Sequence, residues 1–348
     1  MEQNQLPPDP SNIMQVGMGF WACKTLLAAV KFKLFTMLAA RKKTASEIKE
    51  ELQLKTTDRH VYDWLDALVA LGFLQREGLL EEEKYSNTTD TDLFLDENKR
   101  SYIGGILQMG NNRLYRFWGD LEEGLLTGKA QNESKNSSNM AFFEDLYKSQ
   151  EKMQEFINAM SGIQVGNFMT LVKKFDFSKY NSLADIGGAD GFLSTVVAAH
   201  NPNITCITYD LPAVAPVAQK KVASANLADR VTVASGDFLK DPIPSADIIT
   251  MGNILHGINE EGKKSLIRKV YDALPSNGAL MVIENIIDND RRQNAFGLMM
   301  SLNMLIENGD AFDFTQNDFD KWTRDAGFKR TELIHLAGPT SAVIAYKS

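Results

Sequence analysis

The residues best suited to bind a ligand stand close together between Leu183 and Asp210. Leu183-Ala184-Asp185-Ile186 is a short apolar strand, and Gly187-Gly188-Ala189-Asp190-Gly191 is a turn leading into a helix expected over 192–200. A second strand over 205–209 ends in Asp210. Glycines let a backbone approach a ligand closely, and an acid at the tip of the second strand can accept both hydroxyls of a ribose. The arrangement predicts a nucleoside. A dinucleotide would ask for a G-x-G-x-x-G spacing and a positive field around its pyrophosphate. Here Gly187 and Gly188 are adjacent, and Asp185 and Asp190 bring two negative charges. Those charges repel phosphate but suit a sulfonium and an amino group, which points to S-adenosylmethionine. Further on, Gly236-Asp237-Phe238 offers an acid for the adenine amino group and a ring to cover the base. Alone, Gly236-Asp237 is an ordinary strand-to-loop turn; the other motifs give it meaning.

Two more residues could move a proton. His256 follows a fourth strand, at the carboxyl edge where open α/β sheets place their ligands, and Glu284 ends a fifth strand whose tip reaches the same edge. A positioned base is worth roughly 10²–10⁴-fold for an acceptor that must lose a proton. A neighbouring carboxylate would fix its tautomer. The plainer alternatives are a packing histidine and a strand-end acid facing water.

The elements that must carry these groups alternate from Leu183 onward. Strands are expected at 182–186, 205–209, 231–235, 246–251 and 279–284, with helices after the first, second and fourth. Such alternation predicts a mostly parallel sheet covered on both faces. Two last strands, near 330–336 and 341–346 and joined by Gly338-Pro339, form an expected antiparallel edge hairpin. The first half reads as helix: one over 14–29, one opened by the capping box Thr44 to Glu47, and one over 58–71 closed by Gly72. Segments 73–78 and 84–87 then resemble a short wing, giving a winged-helix order. Asp58, Asp63 and Asp66 crowd Arg59 and His60, a poor footprint for nucleic-acid phosphate, so dimerisation or packing is the expected role. The polar stretch 127–140 is expected as mobile surface, and 142–162, with Phe142, Phe143, Leu146, Tyr147, Met153, Phe156 and Met160, as a helix apolar on one face. The seam is expected near 165–180, giving domains 1–165 and 166–348.

At 348 residues, 44% of them hydrophobic, the chain can bury a large core. A formal charge of -8 argues against nucleic acid and anionic membrane as partners. Cys23 and Cys206 cannot make a disulfide framework or a cysteine metal site, and four scattered histidines show no ligand pair on one helix, so no metal is expected. The polar start, Met1 to Asn12, shows no signal peptide, and no apolar run approaches the ~18 residues of a membrane span. A cytoplasmic enzyme is expected.

The chain resembles the class I methyltransferases of the acetylserotonin and plant caffeic-acid O-methyltransferase type, including their bacterial small-molecule members. The likeness rests on Asp185 to Gly191, Tyr209-Asp210-Leu211-Pro212, Gly236-Asp237-Phe238, Asn253-Ile254-Leu255-His256, Ala273-Leu274-Pro275 and Leu280 to Glu284. It implies a Rossmann-like α/β domain with a mostly parallel seven-stranded sheet, preceded by a mainly helical winged-helix dimerisation domain. It further implies S-adenosylmethionine as methyl donor, a homodimer, a small-molecule acceptor, and cofactor contacts at Asp185, Gly187, Gly188, Asp210, Leu211, Gly236, Asp237 and Phe238. His256 matches the base, Glu284 a flanking acid, and Asp313 a second supporting acid. Acceptor-lining residues implied by the resemblance are Phe156, Met160, Ile163, Met300, Asn303, Met304 and Asn308; Phe20, Trp21, Phe143 and Arg113 are further candidates. The family pattern His-Asp-Trp reads His256-Gly257-Ile258 here, which removes an acid and an indole beside the base. A hydroxyl is the expected acceptor. Methylation of a thiol or thioether, and a catalytically idle cofactor-binding regulator, are the alternatives.

Overall fold

In the computed structural model, which describes residues 8–78, 83–99, 101–133, 135 and 149–348, the chain divides into two units, Met1–Arg113 and Leu114–Ser348. The first contains α1 (Ser11–Gly17), α2 (Gly19–Lys31), α3 (Leu34–Ala40), α4 (Ala45–Glu51), α5 (Asp58–Ala70), β1 (Leu74–Glu77), β2 (Lys84–Asn87), α6 (Thr89–Leu95) and α7 (Gly104–Met109). The helix expected over 14–29 is broken at Met18, whose backbone leaves the helical region. Met18 is flanked by Gly17 and Gly19, and each glycine in a helix interior costs about 1 kcal/mol relative to alanine. The capping box is present: Thr44 Oγ1 accepts from the Glu47 amide at 3.2 Å, and Glu47 Oε2 accepts from the Thr44 amide at 2.8 Å. Helix α5 buries Val61, Leu65 and Leu68 against Phe35, Ile48, Leu74 and Tyr85. Strands β1 and β2 form an antiparallel hairpin, so helix, helix and hairpin follow in the expected order. The cations near α5 are engaged, Arg59 with Asp63 at 2.9 Å and Lys49 with Asp58 at 2.6 Å. Among the described residues no single helix is long and apolar enough to cross a membrane; α1 and α2 together pass by length and composition, as a pair bent by 40°.

The second unit opens with α8 (Tyr115–Phe117), α9 (Leu121–Thr127) and the long α10 (Gln150–Lys174). Helix α10 runs unbroken through the expected seam at 165/166. Its second half sends Phe168 and Leu171 into the sheet core beside Leu193 and Val197, followed by Phe175 just past the helix, and the whole of α10 falls within the second unit. The front of the helix expected at 142–162, with Phe142, Phe143, Leu146 and Tyr147, lies outside the described residues. The stretch 127–140 is not all surface: Ala130, Gln131 and Asn132 are buried. The Gln131 amide donates to the Ile306 carbonyl at 2.7 Å, and Asn132 Nδ2 to the Glu307 carbonyl at 2.9 Å. Carbonyls in the last turn of a helix lack partners within it, and these polar residues supply them.

The sheet contains β3 (Ser182–Ile186), β4 (Thr205–Asp210), β5 (Val231–Ser235), β6 (Ile248–Gly252), β7 (Ala279–Glu284), β8 (Arg330–His335) and β9 (Ser341–Tyr346), in the order β5-β4-β3-β6-β7-β9-β8. The five strands from β5 to β7 are parallel, and β9 and β8 add an antiparallel edge. Helices α11 (Phe192–His200), α12 (Ala215–Ser224), α13 (Glu260–Ala273), α14 (Ala295–Asn308) and α15 (Gln316–Ala326) complete the unit. Alternate residues of each central strand feed two separate cores. Leu183, Ile248, Met281 and Ile283 join one with α10 and α11, while Ala184, Ile186, Ile249 and Val282 join the other with α13 and α15. Strand order reverses between β3 and β6, and open sheets hold their ligands in the crevice at such a switch point.

Candidate active site

At the carboxyl end of β3 the chain turns on Gly187, whose φ is +70°. The amides of Gly187 and Gly188 both donate to the Tyr209 carbonyl at the end of β4, at 2.8 and 3.2 Å. A Cβ on Gly188 would stand 2.3 Å from Thr208 Oγ1 and 3.0 Å from Asp185 Oδ2, so no side chain fits there. Ala189 adopts a left-handed φ of +48°, which costs an L-residue roughly 1–2 kcal/mol. Its amide donates to Asp210 Oδ2 at 2.9 Å, and Asp210 Oδ1 accepts from the Leu211 amide at 2.7 Å. Asp210, at the strand tip, thus fixes the turn and is itself oriented by it. Burial raises its pKa, against the pull of those two amides.

Asp185 is 4% exposed, and burial pushes its pKa up to about 7, although Thr250 Oγ1 donates to it at 2.7 Å. A cation beside it would relieve that cost. Asp190, expected as a negative charge that repels phosphate, is engaged: Lys221 Nζ is 3.2 Å away and Ser161 Oγ donates to it at 2.9 Å. Asp237 is held below the usual carboxylate range, against its burial, by Lys240 and the Leu239 amide. The Phe238 ring reaches the same turn, 3.9 Å from the position of a Gly187 Cβ. The glycine cradle, the buried Asp185, the unpartnered Thr208 hydroxyl and Asp210 at the strand tip fit a nucleoside with a cationic amino-acid arm, as in S-adenosylmethionine.

Beside this cradle, the turn after β6 carries His256. Glu284 Oε1, at the tip of β7, accepts from the amides of Ile254 at 3.1 Å and His256 at 3.3 Å. Its other oxygen lies 3.5 Å from His256 Nδ1, and Asp313 Oδ1 lies 3.4 Å from the same nitrogen. Both separations exceed a normal N–H···O bond, so Nδ1, Glu284 Oε2 and both Asp313 oxygens face one another without closing one. Burial works against a charged imidazole here, but Glu284 and Asp313 outweigh it and raise the His256 pKa to about 9. Burial likewise raises Glu284, opposed by His256. Sequence spacing gave no hint of a metal set, yet these three residues bring ligand atoms within 4.8 Å of one another. The buried cation Lys263 acts on the same two carboxylates and supplies positive charge without an ion.

The expected acceptor residues fall into two groups. Met300, Asn303, Met304 and Asn308 lie on α14, where Asn308 Nδ2 donates to the Gly257 carbonyl at 3.4 Å and Asn303 Oδ1 accepts from the Trp118 indole at 2.9 Å. Both asparagines therefore find protein partners. Phe156, Met160 and Ile163 lie on α10, which Ser161 ties to the glycine turn; Ile163 is 39% exposed. Phe20 and Trp21 belong to the first unit and are 51% and 62% exposed. Sequence reasoning missed Ser161, Trp118, Lys221 and Lys263. Lys263 reads as one more charge in Glu260-Glu261-Gly262-Lys263-Lys264, and only its depth in the fold separates it from Lys264.

The reversed sheet order, the glycine turn and the acid at the tip of β4 define the class I methyltransferase architecture. Residues 118–329 match the O-methyltransferase domain and residues 14–97 the O-methyltransferase dimerisation domain, each match inside one unit. The chain belongs to the S-adenosylmethionine-dependent O-methyltransferase family. It is 35% identical to the tetracenomycin polyketide synthesis 8-O-methyl transferase TcmO of Streptomyces glaucescens, over 97% of each chain. It is 30% identical to the N,N-dimethyltransferase OxyT of Streptomyces rimosus, over 91% of this chain and 90% of the other. Human N-acetylserotonin methyltransferase in complex with S-adenosylmethionine superposes with a TM-score of 0.89 at 23% identity, over 99% of each chain.

Proposed function

We propose that this protein transfers the methyl group of S-adenosylmethionine to a phenolic hydroxyl of a fused-ring aromatic small molecule, with His256 as general base. One arrangement carries this reading: the His256 imidazole at the ligand edge of the sheet, its Nδ1 facing two buried carboxylates. A proton on Nδ1 would satisfy those carboxylates and leave Nε2 to accept one from an acceptor. The cofactor supplies an electrophilic methyl group on a cationic sulfur. The chain's own residues must hold the acceptor in line and take its proton. A phenol with an ordinary pKa of about 10 is well matched to a base near 9. Glu284 and Asp313 then stabilise the imidazolium that forms. The 8-O-methylation in the name of the polyketide relative supports an oxygen acceptor, and a 3-hydroxy-5-methyl-1-naphthoate 3-O-methyltransferase of Streptomyces sahachiroi, 26% identical over 95% of this chain, supports a fused aromatic ring to carry it. The N-methylating relative offers a second acceptor class, but an amine with a free lone pair needs no base.

We further propose that the first unit pairs two copies of the chain. Its match to a dimerisation domain supports this, as do the exposed Ile13, Val16, Phe20 and Trp21 on α1 and α2. Cys23 and Cys206 are both unpaired, in keeping with a reducing cytoplasm. The test is transfer of labelled methyl groups to phenols, amines, thiols and thioethers across pH. Turnover of phenols that falls as His256 takes up a proton is the expected result. Turnover confined to sulfur or nitrogen acceptors would refute the hydroxyl assignment, and cofactor binding without turnover would mark a regulator.

A further inference from the structure

Lys263 has no exposed surface at all. It lies four residues into α13, near a helix N-terminus, where a cation also opposes the helix dipole. Burial pushes its pKa down to about 8, against the pull of Glu284, Asp313, Asp310 and Glu260. Such a placement is unfavourable unless the ammonium has partners. It has two: the Ile258 carbonyl, to which it donates, and the Phe312 ring, whose centroid lies 3.8 Å from Nζ.

Ile258 closes the turn that carries His256. The turn can lie against α13 because residue 262 is glycine, where a Cβ would be 2.3 Å from Ile258 Cγ2. The three residues of the turn are then held one by one. Glu284 takes the His256 amide, Asn308 reaches the Gly257 carbonyl, and Lys263 binds the Ile258 carbonyl. In charge, His256 and Lys263 form two cations against two carboxylates. His256 is faced by Glu284 from β7, by Asp313 from the segment after α14, and by Lys263 from α13.

We propose that Lys263 is a positioning residue for His256: its buried ammonium pins the turn that carries the imidazole and opposes the two carboxylates that face it. The catalytic meaning of this role rests on His256 being the base. The ammonium makes it harder for the imidazole to hold a proton, so removing the charge must raise the pH at which His256 becomes free to act.

Nitrogen-15 NMR of the full-length protein follows this directly, with His256→Gln identifying the signal among the four histidines. Lys263→Met removes both charge and hydrogen bond, whereas Lys263→Gln keeps a donor for Ile258 and keeps the question open if the methionine variant does not fold. Both are expected to raise the His256 pKa by about half a unit, less than a full charge would give, because Lys263 with a pKa of about 8 has lost much of its own proton where His256 titrates. Each should also lower kcat/KM for 2-naphthol about threefold on the acidic limb. Lys263→Arg, which retains the charge, is expected to titrate like the parent. An unchanged His256 pKa in both neutral variants overturns the role of Lys263. A shifted His256 signal with an unmoved rate profile refutes the base assignment instead, and leaves the electrostatic coupling of Lys263 to His256 demonstrated.

Discussion

The glycine turn and the His256 turn close neighbouring parallel strands, β3 and β6, yet they are built in opposite ways. The first is held by its own backbone, through the Gly187, Gly188 and Ala189 amides on the end of β4. The second is held by side chains from β7, α13 and α14, two of them, Glu284 and Lys263, charged and buried. A backbone cradle fixes shape and tolerates little change in volume. A side-chain cradle fixes charge, and its members can be exchanged at the cost of retuning the imidazole. Under the proposed function, binding falls to the first turn and proton transfer to the second, so their failures should look different.

The largest expected effect separates the two. His256→Gln should lower kcat/KM for a phenol by roughly 10²–10⁴-fold while leaving cofactor affinity at the parent value. Loss of affinity in that variant would mean the two turns are not independent. Next, Asp210→Ala should weaken cofactor binding by about 10²-fold, because bonds to a charged group are worth about 1.5–3 kcal/mol each and the Ala189 amide also loses its acceptor. Calorimetry giving parent affinity would remove Asp210 from the cofactor site.

Smaller effects sharpen the contrast. Asp313 raises the His256 pKa by its charge, so Asp313→Asn should lower it and move the acidic limb of the rate profile to lower pH by about one unit. A limb that stays in place would sever Asp313 from His256. Last, Gly188→Ala forces contacts of 2.3 and 3.0 Å and should destabilise the fold by about 1–3 kcal/mol. Gly257→Ala meets nothing closer than 3.9 Å and should stay within about 0.5 kcal/mol of the parent. Equal melting temperatures for the two variants would erase the distinction between the turns.

Much of the sheet was legible because its strands are short apolar runs ended by chemistry-bearing residues. β3, β5 and β7 match the expected segments, and β4 extends one residue further, to Asp210. The glycine turn was legible for the same reason, since its members are consecutive. The division between the units was harder to read, because a long helix such as α10 gives no sign of which core its second half joins. The partners of Asp190 were not legible, because Lys221 and Ser161 stand about thirty residues away on either side. Asp313 was reached through the family likeness, and Lys263 was missed because what makes it unusual is depth, which a run of charged residues conceals.

The most direct test of the central claim is kcat/KM for a fused-ring phenol as a function of pH, measured for the parent and for His256→Gln. The account predicts that the parent rate climbs with pH toward a midpoint near the His256 pKa of about 9, and that the variant loses both the rate and that limb. A variant that methylates the phenol at the parent rate with the same profile would contradict it.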